Sequence, residues 1–174
     1  GNIGGLAGVY TTPNMYVEVV GRFSNLNPIS PYRGAGRPEA SYVMERMIHL
    51  AARDLKMDPI ELRRRNMIAP DQMPYKTPLT FTYDCGEFEA MMDAALAKAD
   101  HAGFDARRAK TAESGLLRGI GVSCTVEQAA GAQPETAEMR FDPSGTLTLL
   151  VGSTPHGQGH ETIYKQLIVE KLAI

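Results

Sequence analysis

Residues Pro31–Glu39 (PYRGAGRPE) constrain the chain more than any other stretch, because a loop with two glycines passes there directly into a long helix. Glycine permits backbone angles closed to other residues and lets the chain approach a ligand closely. Pro38 falls in the first helical turn, where a missing N–H loses no bond. From Arg37 to Lys56 the apolar residues Ala40, Val43, Met44, Met47, Ile48, Ala51 and Leu55 recur at three- and four-residue steps. That period predicts an amphipathic helix. Glu45, His49 and Arg53 are expected on its opposite face. The open N–H groups of such a first turn, with the Arg33 guanidinium beside them, suit an anionic or strongly polar ligand.

The chain continues with Asp58-Pro59-Ile60-Glu61, which reads as a cap, a first-turn proline and a reciprocal glutamate. The helix it opens carries Arg63-Arg64-Arg65. Three successive arginines cannot share one helix face, so a solvated or interdomain surface is expected. Residues 67–83 hold Pro70, Pro74 and Pro78 without a helical period and are expected to form an extended linker between two lobes. Asp84 and Glu87 suggest a second capping box before a helix to about Ala99, with Phe88, Met91, Met92, Ala95 and Ala99 inward. Phe104–Glu113 reads as a short, charged, exposed helix.

Strand character appears in four places. Met15–Val20 is β-branched and aromatic, and Leu117–Glu127 and Glu135–Phe141 show partial alternation. Asp142-Pro143-Ser144-Gly145 is a turn signal, so Thr146–Val151 should return as a hairpin strand. A second glycine loop, Gly152–Gly159, then leads into a last helix carrying Ile163, Leu167, Ile168 and Leu172. Residues 1–9 have no clear period, and 21–31 read as loop. The fold class these elements imply is α+β, with two lobes at 1–66 and 84–174.

The second loop repeats the logic of the first. Gly157-Gln158-Gly159 turns the chain and a helix begins, leaving backbone donors directed into the loop. Gln158 adds a side chain that both donates and accepts, suited to an oxo or carbonyl ligand. Either loop could equally be a structural turn. Other chemistries fit less well. A dinucleotide fingerprint requires a strand before the glycines and a small residue where Glu39 stands, and a phosphate loop requires Gly-Lys-Ser/Thr. His156, His160 and Glu161 could approach a zinc ion, but Gly157-Gln158-Gly159 interrupts the helix that would align them and a fourth ligand is not evident.

The totals narrow the class. With 174 residues, 43% hydrophobic and 22% charged content, the chain suits one sizeable domain or two small ones. A net charge of −2 gives no electrostatic footprint for nucleic acid. Cys85 and Cys124 form neither a CxxC nor a disulfide framework, which points to a reducing, cytoplasmic setting. No apolar run reaches membrane-spanning length and no signal peptide is visible. The chain starts without Met and ends at Lys171-Leu172-Ala173-Ile174, as a piece of something longer would.

PYRGAGRPE, Asp58–Asn66 (DPIELRRRN), Leu117–Thr125 (LRGIGVSCT) and Val151–Thr162 (VGSTPHGQGHET) together resemble, in order and spacing, the molybdenum-cofactor-binding large subunit of the xanthine dehydrogenase, aldehyde oxidase and carbon monoxide dehydrogenase family. The resemblance implies a molybdenum hydroxylase. Its cofactor would be molybdopterin, in its simple or cytosine dinucleotide form, carrying Mo and hydroxylating a small-molecule substrate. Electrons would leave through 2Fe-2S and FAD partner subunits or domains, in an oligomeric complex. By family equivalence Arg33 would be catalytic beside the Mo site, with Gly34 also at the cofactor. Gly157, Gln158 and Gly159 would bind the cofactor, and Ala35, Cys124 and Thr125 would line the substrate pocket. No side chain would ligate the metal directly.

Two departures bear on the substrate. Carbon monoxide dehydrogenases of the family place a copper-holding cysteine where this chain has Gly34, so carbon monoxide is not the expected substrate. Xanthine enzymes place a purine-stacking phenylalanine where Ala35 stands. An aldehyde or an N-heterocycle is expected instead. The family's catalytic glutamate lies in a Gly-Val-Gly-Glu stretch that is absent here, as is an upstream glycine loop with another cofactor glutamine. The piece alone is therefore expected neither to hold cofactor nor to turn over, and to expose apolar surface. A cofactor-free binding or scaffold module is the alternative reading, followed by a small enzyme without molybdenum.

Overall fold

The computed structural model describes residues 3–28, 32–127 and 134–173. Residues 29–31 of the loop expected at 21–31, among them Pro31 of the PYRGAGRPE stretch, and the extreme C-terminal residue lie outside the described residues. The chain divides into two compact units, 1–127 and 128–174, and each is described by itself. The secondary structure is mixed α and β, as the sequence implies.

In the first unit, α1 (Arg37–Asp54) and α2 (Pro59–Asn66) form a helical pair. Asp58 caps α2 as expected, its Oδ1 accepting from the N–H groups of Ile60 (2.8 Å) and Glu61 (2.9 Å). Such a cap is worth about 1 kcal/mol. Glu61 does not complete a box; it pairs with Arg65 one turn on at 2.7 Å. The core is built on Val9, Tyr10, Met67 and Met92, with Met44, Ile48, Ile60, Phe88 and Leu96 packed around them. Backbone bonds from Thr11 N to Asn66 O (2.8 Å) and Ile68 N to Val9 O (3.0 Å) fasten the N-terminal segment to the end of α2.

Residues 67–83, expected as a linker, are packed within this unit. They contain a 3-10 turn at Pro70–Gln72 and a short antiparallel ladder of β1 (Tyr75–Lys76) and β2 (Thr82–Tyr83). Met67, Ile68, Thr77 and Tyr83 are buried, and the Tyr83 hydroxyl donates to the Gly8 carbonyl at 2.7 Å. Then follow α3 (Phe88–Lys98) and α4 (Phe104–Ala112), the latter with no buried residue, as its charge implies. The expected box at Asp84 and Glu87 is absent: Glu87 occupies the N-cap of α3 and no side chain caps it. Of the residues expected inward on α3, Met92 is buried but Met91 is exposed.

Two expected strands do not form. Met15–Val20 is without regular structure, with Tyr16, Val19 and Val20 exposed. Leu117–Glu127 likewise has no ladder partner among the described residues. A strand exists only through its neighbour, and β-branched composition cannot supply one.

The second unit is a hairpin and a helix. β3 (Ala137–Phe141) pairs antiparallel with β4 (Leu147–Val151), from Ala137 opposite Val151 to Phe141 opposite Leu147. The turn is that expected: Gly145 has φ +88° and Ser144 N–H donates to Asp142 Oδ1 at 2.8 Å. α5 (His160–Leu172) follows the second glycine loop, and no residue of the hairpin or helix is buried. Ile163, Leu167, Val169 and Leu172 remain exposed.

Candidate functional site

The first glycine loop is a tight double turn. Ala35 N–H donates to the Tyr32 carbonyl (2.7 Å) and Arg37 N–H to the Gly34 carbonyl (2.9 Å). Gly34, Ala35 and Gly36 all have positive φ, at +97°, +42° and +93°. Alanine in that region is strained, and such strain persists where the surroundings demand it and concentrates at functional sites. Gly36 is the N-cap of α1 and supplies no side-chain cap. Arg33 is exposed at the mouth of the loop.

Cys124 and Thr125 stand in the extended stretch that ends the first unit. Its burial alternates: Val122, Cys124 and Val126 are half-buried, while Gly121, Ser123, Thr125 and Glu127 are exposed. The stretch is fastened beside α1 by a 2.7 Å bond between the hydroxyls of Thr125 and Ser41 and by a 2.9 Å ion pair from Arg37 to Glu127. The pocket-wall candidates and the helix opened by the first loop are thus held together. With α3 the stretch borders an apolar cavity of about 350 Å³, lined among others by Val9, Met92, His101, Cys124 and Thr125.

Beneath this wall lies a charge network that the sequence reading placed wrongly. Glu45 is 6% exposed and Arg63 2% exposed, so neither faces solvent. Arg63 donates through Nε to Glu45 Oε2 (2.9 Å), through Nη1 to the Pro59 carbonyl (2.9 Å) and through Nη2 to the Val122 carbonyl (3.1 Å). Tyr10 donates its hydroxyl to Glu45 Oε1 at 2.6 Å. A buried charge is tolerated when paired and fully hydrogen-bonded in this way. Burial, then the bond to Glu45, pushes the Tyr10 phenol well above its ordinary range. Burial also raises the Cys124 thiol, with the Glu45 charge adding to it, which keeps it a neutral thiol near pH 7. The other two arginines of the triplet do lie at the surface: Arg64 pairs with Glu89 (2.5 Å) and Asp93 (2.7 Å), and Arg65 with Glu61.

The second loop lies in the second unit. Gly157 and Gly159 have φ +94° and +73°, and Gly159 is the N-cap of α5, again without a side-chain cap. Among the described residues, no atom beyond its own chain neighbours lies within 4 Å of where a Cβ on Gly159 would stand. Gln158 is half-buried, and its Oε1 accepts from the His156 backbone N–H. His160, first in α5, stacks on Tyr164 at 5.1 Å between ring centroids, and its Nδ1 is buried without a partner among the described residues. Among the described residues no cluster of three or more His, Cys, Asp or Glu side chains is arranged to hold a metal ion.

Comparison with known proteins shows the family. Residues 2–67 match the model of one molybdopterin cofactor-binding domain, and residues 94–174 match that of a second. The chain belongs to the molybdopterin-binding region of the molybdenum hydroxylase large subunits. The carbon monoxide dehydrogenase large chain of Hydrogenophaga pseudoflava is 32% identical over 97% of this chain and 23% of its own length. The nicotine 6-hydroxylase large subunit of Paenarthrobacter nicotinovorans is 30% identical over 96% of this chain and 22% of its own length. Among solved structures, quinoline 2-oxidoreductase from Pseudomonas putida 86 superposes with a TM-score of 0.65 at 30% identity, over 83% of this chain and 20% of that one. The chain therefore spans about a quarter of the length of the molybdenum hydroxylase subunits it matches.

Each molybdopterin-domain match contains one glycine loop, and the residues present fit a polar, oxygen-rich group. Both loops open a helix whose N-cap is a left-handed glycine with no side-chain hydrogen bond capping the first turn. The second also has open space at Gly159 and an orphaned buried nitrogen on His160. The Tyr10–Glu45–Arg63 network is what sequence reasoning missed. The available signal was Glu45 at one flank of the apolar stripe of α1, one residue after Met44 and three before Ile48.

Proposed function

We propose that this chain is part of the large subunit of a molybdenum hydroxylase acting on an N-heterocycle or an aldehyde. The observation that carries the reading is the pairing of two molybdopterin-domain matches with two uncapped glycine loops, one in each. When bound, the molybdenum–pterin group supplies the redox chemistry, taking two electrons from the substrate carbon as oxygen from water is added. The cytosine dinucleotide form of the pterin belongs to this reading. So do 2Fe-2S and FAD partners that carry the electrons away, and a cytoplasmic location.

The chain's own residues bind, orient and polarise. In the first loop the Gly34 and Gly36 N–H groups would hold oxygen atoms of the cofactor, the Ala35 N–H being used within the turn, and in the second the N–H groups of Gly157–Gly159 would do so, each aided by the positive end of its own helix. The Gln158 amide donates to it while its carbonyl stays tied to His156. Arg33, exposed at the loop mouth, would orient the substrate and stabilise charge that builds on it. Cys124 and Thr125 form a wall of the substrate pocket, and Ala35 leaves room above it. A neutral thiol at Cys124 makes that wall apolar rather than nucleophilic.

Gly34 offers no thiolate for copper, which argues against carbon monoxide as substrate. The relatives named for nicotine and quinoline support a heterocycle. The test uses the full-length protein with its electron-transfer partners. Quinoline, nicotine and benzaldehyde are offered in 18O-labelled water with an artificial electron acceptor. Labelled product is expected from at least one, and Arg33→Ala should lower kcat about 100-fold or more. A molybdenum-loaded enzyme that turns over none of them contradicts the substrate class. Parental rates from Arg33→Ala remove Arg33 from the chemistry.

A further inference from the structure

We propose that Arg63 is a positioning residue: it fixes the backbone of the pocket-wall stretch 120–127 against the core, with Glu45 and Tyr10 holding the guanidinium in place. The functional half of this inference rests on reading Cys124 and Thr125 as pocket wall. The stretch has no ladder partner among the described residues, so its backbone groups must be fastened otherwise. Arg63 Nη2 supplies that fastening at the Val122 carbonyl, 3.1 Å away and 59 residues distant in sequence. Val122 begins the alternation that directs Cys124 and Val126 inward onto the core. A shift of one residue there would turn Cys124 outward and its neighbours in.

The geometry is over-determined in the manner of a support rather than a surface pair. All three guanidinium nitrogens have acceptors: Nε on Glu45 Oε2, Nη1 on the Pro59 carbonyl, Nη2 on Val122. The carboxylate is held from its other oxygen by Tyr10, whose backbone bridges to Met67 at the end of α2. Two helices, the N-terminal segment and the pocket wall therefore meet on one side chain. The other fastenings, Ser41 to Thr125 and Arg37 to Glu127, reach exposed side chains of the stretch, where water competes. Arg63 is the dry one. A lysine there keeps the charge opposite Glu45 but offers no planar fork to reach Pro59 and Val122 as well.

The test is made on the full-length holoenzyme, comparing Arg63→Lys with the parent. Amide hydrogen exchange of peptides covering 120–127 should quicken about tenfold, since a charge-assisted bond to the backbone is lost. Peptides covering the 137–151 hairpin should be unchanged. KM for quinoline, or for benzaldehyde if quinoline is not turned over, should rise several-fold more than kcat falls, with Mo content as in the parent. Should Arg63→Lys fail to fold, Glu45→Gln carries the same comparison, because it loosens the guanidinium without removing it. Unchanged exchange over 120–127, or equal quickening everywhere, overturns the inference. If exchange rises as stated but neither Arg63→Lys nor Cys124→Phe moves KM, the pocket-wall reading fails and the positioning of the stretch stands.

Discussion

Arg63 and Glu45, 18 residues apart on adjacent helices, form a 2.9 Å ion pair that is almost wholly closed to solvent. Removing one partner of such a pair strands the other charge in a dry site. Arg63→Ala should therefore cost about 3–5 kcal/mol of stability, against under about 1 kcal/mol for Arg65→Ala at the exposed pair with Glu61. Denaturant titration of both variants checks this. Equal losses would mean that the buried pair is not integral to the core.

Asp58 holds two of the free N–H groups at the start of α2. Asp58→Ala should lower stability by about 1 kcal/mol, and Asp58→Ser should recover most of it. A thermal melt of the two variants distinguishes a cap from a merely acidic surface position.

The pH response has a definite sign at Arg64 and Asp93. The bond from Arg64 is the chief reason the Asp93 carboxyl is held below the usual carboxylate range. A group with a depressed folded pKa contributes stability that is present above its unfolded value and lost as pH falls through the folded one. Asp93→Asn should therefore melt below the parent at neutral pH, and the gap should close as pH drops below about 4. A gap that widens on acidification would contradict the pairing.

Gly159 has φ +73° and open space where a Cβ would stand. Gly159→Ala meets no neighbour, so its cost is backbone strain alone, about 1–2 kcal/mol. Differential scanning calorimetry of the full-length apoprotein measures it. A larger loss would show that the loop packs against something in the complete protein.

The helices were legible because each carried its own signal. The apolar period of Arg37–Asp54, Asp58 before Pro59, and Asp142–Gly145 between two β runs depend on neighbours within a few residues. Apart from the two capping boxes, at Asp84 and Glu87 and at Asp58 and Glu61, what fails depends on distant partners. Met15–Val20 and Leu117–Glu127 have strand composition, yet a ladder needs a second strand that no local pattern specifies. The alternation at Val122, Cys124 and Val126 was nonetheless real; it records packing on the core rather than pairing. Glu45 and Arg63 read as surface residues in the sequence because a lone charge is usually solvated, and only the fold reveals that the two are each other's solvent. Both glycine loops were readable as helix openings. Which ligand each would hold comes only from the resemblance, because an uncapped helix start suits many anions equally.

Molybdenum and pterin content of the purified full-length protein, measured for the parent and for Gly34→Val and Gly159→Val, decides whether these turns hold the cofactor. Stoichiometric metal and pterin in the parent, with clear loss in both variants while the fold persists, is the expected result. A parent without molybdenum, or variants that retain it in full, would contradict the assignment of the two glycine turns.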